Sequence, residues 1–231
     1  MTASELTAEP DPKPMVVVVA GTGTEVGKTW VTARVVRSLR HAGAAVAVRK
    51  PAQSHEPDDV ETDASILAAA SGEAVHDVCP PHRDYETAMA PPMAASLLDR
   101  PSFTTTDLVA ELAWPAATDV VAIESAGGVR SPLTFDGDTI DLVRLVAPDL
   151  VVLVTDPGLG MINAARLCGS ALAPVPPLVM VNRHDASNEL HTRNVAWLRD
   201  VDGFDVVTSP DQVATRILQW RSRNRDGPVD R

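Results

Sequence analysis

MVVVVAGTGTEVGKTWVT, residues 15–32, decides how this chain is read. Met15 to Val19 are five apolar residues, a buried strand by pattern and too short for a helix of their own. A glycine-rich turn follows, from Ala20 to Thr29, and then a helical run. Strand, glycine turn and helix in this order form a phosphate-binding loop. Glycines let backbone N–H groups converge on an anion, and the helix adds its positive N-terminal end. Lys28, on what reads as a solvated loop, can reach β- and γ-phosphates, and the Thr29 hydroxyl can ligate Mg²⁺. Five residues rather than the usual four separate Gly21 from Gly27, so Thr22 stands where the first glycine is expected. The stretch predicts a nucleoside triphosphate site.

The composition is consistent with that reading. The 231 residues carry 45% hydrophobic and 22% charged side chains and a net charge of −11. This argues for a soluble globular protein and against nucleic acid or an anionic membrane as partner. Two cysteines, Cys79 and Cys168, lack metal spacing and read as free thiols of a cytoplasmic protein. Residues 1–14 are expected to form a disordered leader, 15–221 one ATP-binding domain, and 222–231 a frayed tail. Of 20 basic residues only Lys13, Lys28 and Lys50 are lysine. The last two follow the first two predicted strands, at the edge where open parallel sheets bind ligands. An ammonium there acts as a compact point charge, which an arginine fork does not.

Further along, the pattern predicts a helix over 26–41, a strand over 44–49 and a polar loop over 53–61. Thr62 is the expected cap of a helix from Asp63 to Ala70. Residues 75–92 read as an irregular loop or lid. Short helices follow at 92–98 and, capped by Thr106, up to Ala113. Strands are expected at 119–124, 149–155, 177–181 and 204–207, alternating with helices at 138–146, 159–172, 188–199 and 211–221. Near-continuous Val, Ile and Leu strands between helices imply a three-layer α/β fold, a mostly parallel sheet buried on both faces. Strand ends collect Lys28, Thr29, Lys50, Glu124, the turn at 157–160 and Asn182 around one cleft. Glu124 is placed to complete a Mg²⁺ shell. Asp63 opens a helix, where the dipole alone favours an acid. The remaining histidines have no ligand spacing, Trp114, Trp197 and Trp220 read as helical packing residues, and Trp30 is expected to pack beneath the loop.

At this point the chain resembles a known family, the dethiobiotin synthetases. The likeness spans residues 15 to about 210. Its parts are Gly21 to Thr29 with the same spacing, Lys50-Pro51-Ala52-Gln53-Ser54, Thr62-Asp63-Ala64, Ala90-Pro91, Glu124-Ser125-Ala126-Gly127-Gly128, Leu159 to Asn163, and Val181-Asn182. The resemblance implies a P-loop NTPase-like fold and an ATP-dependent ligase of biotin biosynthesis that uses diaminononanoate and CO₂. Lys50 would be the catalytic lysine. Glu25, Val26, Gly27, Lys28, Thr29 and Trp30 would bind ATP with Asp63, Glu124, Ser125, Ala126, Gly127, Asn182, Arg183, Ser209, Pro210 and Asp211. Thr29, Asp63 and Glu124 would hold Mg²⁺. Thr24, Glu25 and Ser54 would face substrate, and Asn163 with its segment would reach the substrate tail of the other protomer in a homodimer.

Four positions depart from the family pattern. His55 and Ser125 replace glycines, Ala164 replaces a frequent histidine, and Arg130 stands in an apolar loop position. A turn needing positive φ at His55 would be strained. The competing readings are an ATP-dependent amidoligase or cobyrinate-type synthase, which needs a glutamine-handling domain or a longer chain for ammonia supply, and a partitioning or switch-type P-loop ATPase, which needs an extra lysine near Thr22 and a basic or amphipathic surface. A degenerate synthetase that binds nucleotide without the full reaction is the third.

Overall fold

The computed structural model describes residues 13–225, so the 1–12 part of the expected leader and residues 226–231 of the expected tail lie outside the described residues. The chain runs β1 (Met15–Gly21), α1 (Lys28–His41), β2 (Val46–Arg49), β3 (Gln53–Ser54), α2 (Asp63–Ser71) and α3 (Val75–Val78). A 3₁₀ turn at Pro81–Arg83 leads to β4 (Asp84–Tyr85), α4 (Pro91–Leu97), α5 (Thr105–Ala110), β5 (Val120–Glu124) and α6 (Thr139–Val146). Then come β6 (Leu150–Thr155), α7 (Met161–Leu172), β7 (Leu178–Val181), α8 (Glu189–Asp200), β8 (Val206–Val207) and α9 (Pro210–Arg225).

Six strands form one sheet in the order β2-β5-β1-β6-β7-β8, and every neighbouring pair is parallel. Strand alternation explains the layers. Met15, Val17 and Val19 pack on Val31, Val35 and Leu39 of α1 and on Val213 and Ile217 of α9. Val18 and Ala20 face the other way, onto Ile140 and Val143 of α6 and Leu172 of α7. A strand covered on both faces has no polar side to spare, hence the unbroken valines of β1. The three-layer α/β fold expected from the sequence is the one observed.

Register brings the strand ends level. Val19 pairs with Glu124, Gly21 with Val154, and Thr155 with Val181. Each strand therefore releases its chain at one edge of the sheet.

Several local expectations differ from the structure. Gln53 and Ser54 are not loop residues but pair in parallel with Asp84 and Tyr85 as a separate two-stranded ribbon. Segment 75–92 is correspondingly structured, through α3, the 3₁₀ turn and β4. Two-residue strands leave no periodicity to read. The cap of α5 is Thr104, whose side chain accepts from Asp107 N in a reciprocal capping box, rather than Thr106. The final helix runs to Arg225, beyond the expected end at Arg221. Trp114 lies outside α5, although it does pack against the core.

Candidate functional site

The loop between β1 and α1 is shaped by three positive-φ or close-packed positions. Gly27, the N-cap of α1, has φ +86 and offers no side-chain cap, which leaves the first N–H groups of the helix open to an anion. A Cβ on Gly27 would lie 2.2 Å from Asn182 Nδ2. Asn182 Nδ2 donates to Val26 O at 3.0 Å. Arg183, itself at φ 54, donates from Nη2 to Glu25 O at 3.1 Å and pairs through Nη1 with Asp156 at 2.7 Å. Glu25 holds φ 62. The β7–α8 turn thus braces the loop from outside, which sequence spacing could not show.

Lys28 is buried, against the expectation of a solvated position. Its ammonium donates to Gly23 O at 3.2 Å. Burial and the nearby Lys50 pull its pKa down to about 8, only partly opposed by Glu124 and Asp63. Such a lysine gains most from a polyanion, which restores the lost solvation. Thr29 Oγ1 lies 2.7 Å from Asp63 Oδ1 and 2.7 Å from Glu124 Oε1. Thr32 Oγ1, not singled out from sequence, donates to Glu124 Oε2 at 2.6 Å and fixes that carboxylate. Its only signal was its place one helical turn after Lys28.

Lys50 is the centre of the cluster. Its Nζ meets Asp63 Oδ2 at 2.7 Å and Glu124 Oε1 at 2.8 Å. Lys50 is 1% and Glu124 0% exposed. Burial works against the Lys50 charge, but Glu124 and Asp63 outweigh it and hold its pKa well above the ordinary lysine value. The same partner holds Asp63 low despite its burial. The donor set suits a hard cation. Thr29 Oγ1 faces two carboxylate oxygens with a single proton, and an oxygen-only site is what Mg²⁺ prefers. Among the described residues, this site included, no group of three or more His, Cys, Asp or Glu side chains is placed to hold a metal; here two carboxylates and a hydroxyl make up the set.

Lys28, Thr29, Lys50 and Asp63, with Glu124 buried behind them, open on a cleft of about 780 Å³ lined also by Thr24, Glu25, Gly27, Gln53, Ser54, Ala126, Gly127 and Arg183, with residues 88–91 as one wall. Ser54 Oγ donates to Met89 O at 2.6 Å and ties that wall to β3. The structure brings most of the expected site together, with exceptions. Ser125 is wholly buried and does not line the cleft. Trp30 is 50% exposed, its ring under Arg34, and does not pack beneath the loop. Ser209, Pro210 and Asp211 do not line the cleft either. Asp211 accepts a hydrogen bond from Ser38, ten residues beyond Lys28 and so roughly 15 Å along α1. Asn163 is exposed on the first turn of α7, outside the cleft.

The departures are accommodated. His55 has no positive φ, so the expected strain is absent. Its ring reaches Glu56 O at 2.8 Å and Asp84 at 3.1 Å. Arg130 pairs with Asp138 at 2.7 Å, outside the cleft.

Residues 15–173 match the family model described as AAA domain. A curated relative from Streptomyces coelicolor, ATP-dependent dethiobiotin synthetase BioD, is 36% identical over 93% of this chain and 95% of its own length. The chain belongs to the dethiobiotin synthetase family. A second synthetase, from Haloferax mediterranei, is 34% identical and covers 83% of this chain and 82% of its own. Among solved structures, the signal recognition particle receptor FtsY of Elizabethkingia anophelis in complex with GDP superposes with a TM-score of 0.51 at 19% identity, over 87% of this chain and 58% of that one. Chloroplast FtsY of Physcomitrella patens gives 0.51 at 17%, over 94% and 68%. These likenesses concern the P-loop fold alone. The segments on which the sequence resemblance rests converge here: the loop at 21–29, Lys50, Asp63 and Glu124.

Proposed function

We propose that this chain is an ATP-dependent dethiobiotin synthetase that carboxylates 7,8-diaminononanoate with CO₂ and closes the ureido ring. The observation that carries the reading is the buried Lys50 ammonium, set between Asp63 and Glu124 beside the phosphate loop and at the edge of the cleft. A neutral substrate amine adds to the carbon of CO₂ and loses a proton, giving a carbamate. A carbamate oxygen takes the γ-phosphoryl group and ADP leaves. The second amine attacks the carbonyl carbon, loses a proton and expels phosphate.

Each step asks the protein for positioned charge more than for covalent chemistry. Lys28 and the open N–H groups of α1 would hold the triphosphate, with Glu25 to Trp30 wrapping it. Thr29, Asp63 and Glu124 would hold Mg²⁺, which offsets negative charge on the β- and γ-phosphates when bound. Lys50 stands where charge passes from carbamate to phosphoryl group. Ser54 gives its proton to Met89 O, so its oxygen is left to accept from a substrate amine. Asn182 and Arg183 brace the loop from the side on which a base would extend, while Ala126 and Gly127 close the cleft.

The active unit is proposed to be a cytoplasmic homodimer. Leu159, 90% exposed beside Asn163, supports a partner on that segment. No described helix is long and apolar enough to cross a membrane. Incubating purified protein with labelled CO₂, MgATP and the diamine tests the reading. Label in a cyclic urea, with one phosphate released per ring, is expected, and ATP hydrolysis with no label in product would overturn it.

A further inference from the structure

Gln53 has an unmet donor. The residue lines the cleft three positions after Lys50 and is 2% exposed. Its Oε1 accepts from Ala64 N at 2.8 Å, which fixes the orientation of the carboxamide. Its Nε2 is closed to bulk water and has no hydrogen-bond partner among the described residues. Buried donors are nearly always paired, so one that borders a cleft points to a ligand atom.

The chemistry of that atom follows from the neighbours. Ala64 adjoins Asp63, whose carboxylate holds Lys50. An ammonium has three N–H donors; Lys50 spends two of them on Asp63 and Glu124, and the third has only the long contact to Ser125 O, at 3.5 Å. A group carrying two acceptor oxygens at this place needs a second donor, whereas a protonated amine would repel one. Building on the synthetase reading above, we propose that Gln53 Nε2 donates to an oxygen of the CO₂-derived carbamate and positions it beside Lys50. Gln53 is a substrate-positioning residue on this account, selective for the carboxylated amine over the amine itself.

Two variants separate this role from the support of α2. Gln53→Glu keeps an acceptor for Ala64 N and removes the donor, and Gln53→Met removes both. Steady-state kinetics with varied dissolved CO₂, MgATP and Mg²⁺ are compared with calorimetric MgATP binding, which certifies that each variant is folded. Both variants are expected to raise KM for CO₂ at least ten-fold with KM for MgATP within two-fold. Only Gln53→Met should also shift the Mg²⁺ midpoint, because Asp63 then loses its anchored helix start. If the wild type makes labelled product and both variants keep its KM for CO₂, the nitrogen serves an ordered water only and the assignment to Gln53 falls. A wild type that incorporates no label overturns the synthetase reading and this proposal together.

Discussion

Lys50 Nζ and Glu124 Oε1 lie 2.8 Å apart across residues 74 positions apart in sequence, with both side chains closed to solvent. Removing one partner of a buried pair costs about 3–5 kcal/mol where the other charge is left alone; Asp63 still holds Lys50 here, which puts the loss toward the lower end of that range. Glu124→Ala should therefore unfold at clearly lower urea concentration than wild type. The Lys50→Met, Glu124→Leu double variant should recover much of that loss. Additive losses in the denaturation curves would show that the pair is not energetically coupled.

Lys50→Ala should lower turnover by about 10²–10³, the usual scale for one preorganised charge donor. Because Asp63 and Glu124 lose their counter-charge, the Mg²⁺ midpoint should move to lower concentration in the same variant. Lys50→Arg should fail as well, since the guanidinium does not fit the volume of a buried ammonium. Turnover and Mg²⁺ titrations of the three proteins decide the matter, and near-normal product formation by Lys50→Ala would remove this lysine from the chemistry.

Asp63→Asn and Glu124→Gln test the cation site from the other side. Each keeps the size of the side chain and removes a charged oxygen from a hard-cation set. The Mg²⁺ requirement should rise at least about ten-fold, the scale seen even for outer partners of a metal. A Mg²⁺ titration of activity that stays in place for both variants would make these carboxylates purely structural.

Gly27→Ala combines two penalties, an unfavourable φ of +86 and a Cβ 2.2 Å from Asn182 Nδ2. Left-handed backbone at a residue with a side chain costs on the order of 1–3 kcal/mol, and the clash displaces the brace on the loop. MgATP affinity should fall by more than ten-fold. Gly23→Ala, whose added Cβ meets nothing closer than 4.0 Å, should bind within a few-fold of wild type. Calorimetry on the two proteins makes the comparison, and equal affinities would contradict the role given to Gly27.

His55 supplies a pH dependence. Burial alone would lower its pKa, but Glu56 O and the Asp84 carboxylate outweigh it and hold the value above that of a free histidine. Both ring nitrogens face acceptors, so the imidazolium satisfies the site best. A raised folded value means the stabilisation is complete below the ordinary pKa of about 6.5 and is lost as pH climbs through the raised one. His55→Gln should thus be less stable than wild type by roughly 0.2–1 kcal/mol at pH 6 and equal to it at pH 9. A difference in thermal midpoint that persists unchanged at pH 9 would count against the ion pair.

Much of this site was legible because it is local. The valines of β1, the glycines that follow and Lys28-Thr29 lie within one strand–turn–helix unit, where periodicity and residue type carry the information. Thr62 ahead of Asp63 likewise announces its own cap. The sequence alone therefore determined the phosphate loop, the parallel sheet covered on both faces, and the edge at which Lys50, Glu124 and Asn182 emerge. Only the tertiary structure decided what those residues do to one another. Strand order β2-β5-β1 brings Lys50 onto Glu124, and no local pattern encodes which strand is inserted between two others. The same holds for Asn182 against Val26, for Asp211 on Ser38 instead of in the cleft, and for the ribbon that places Gln53 on Ala64. Most of these contacts join segments far apart in the chain, and the burial that pulls Lys28 down, like the carboxylates that keep Lys50 charged, is in place only once the layers have closed.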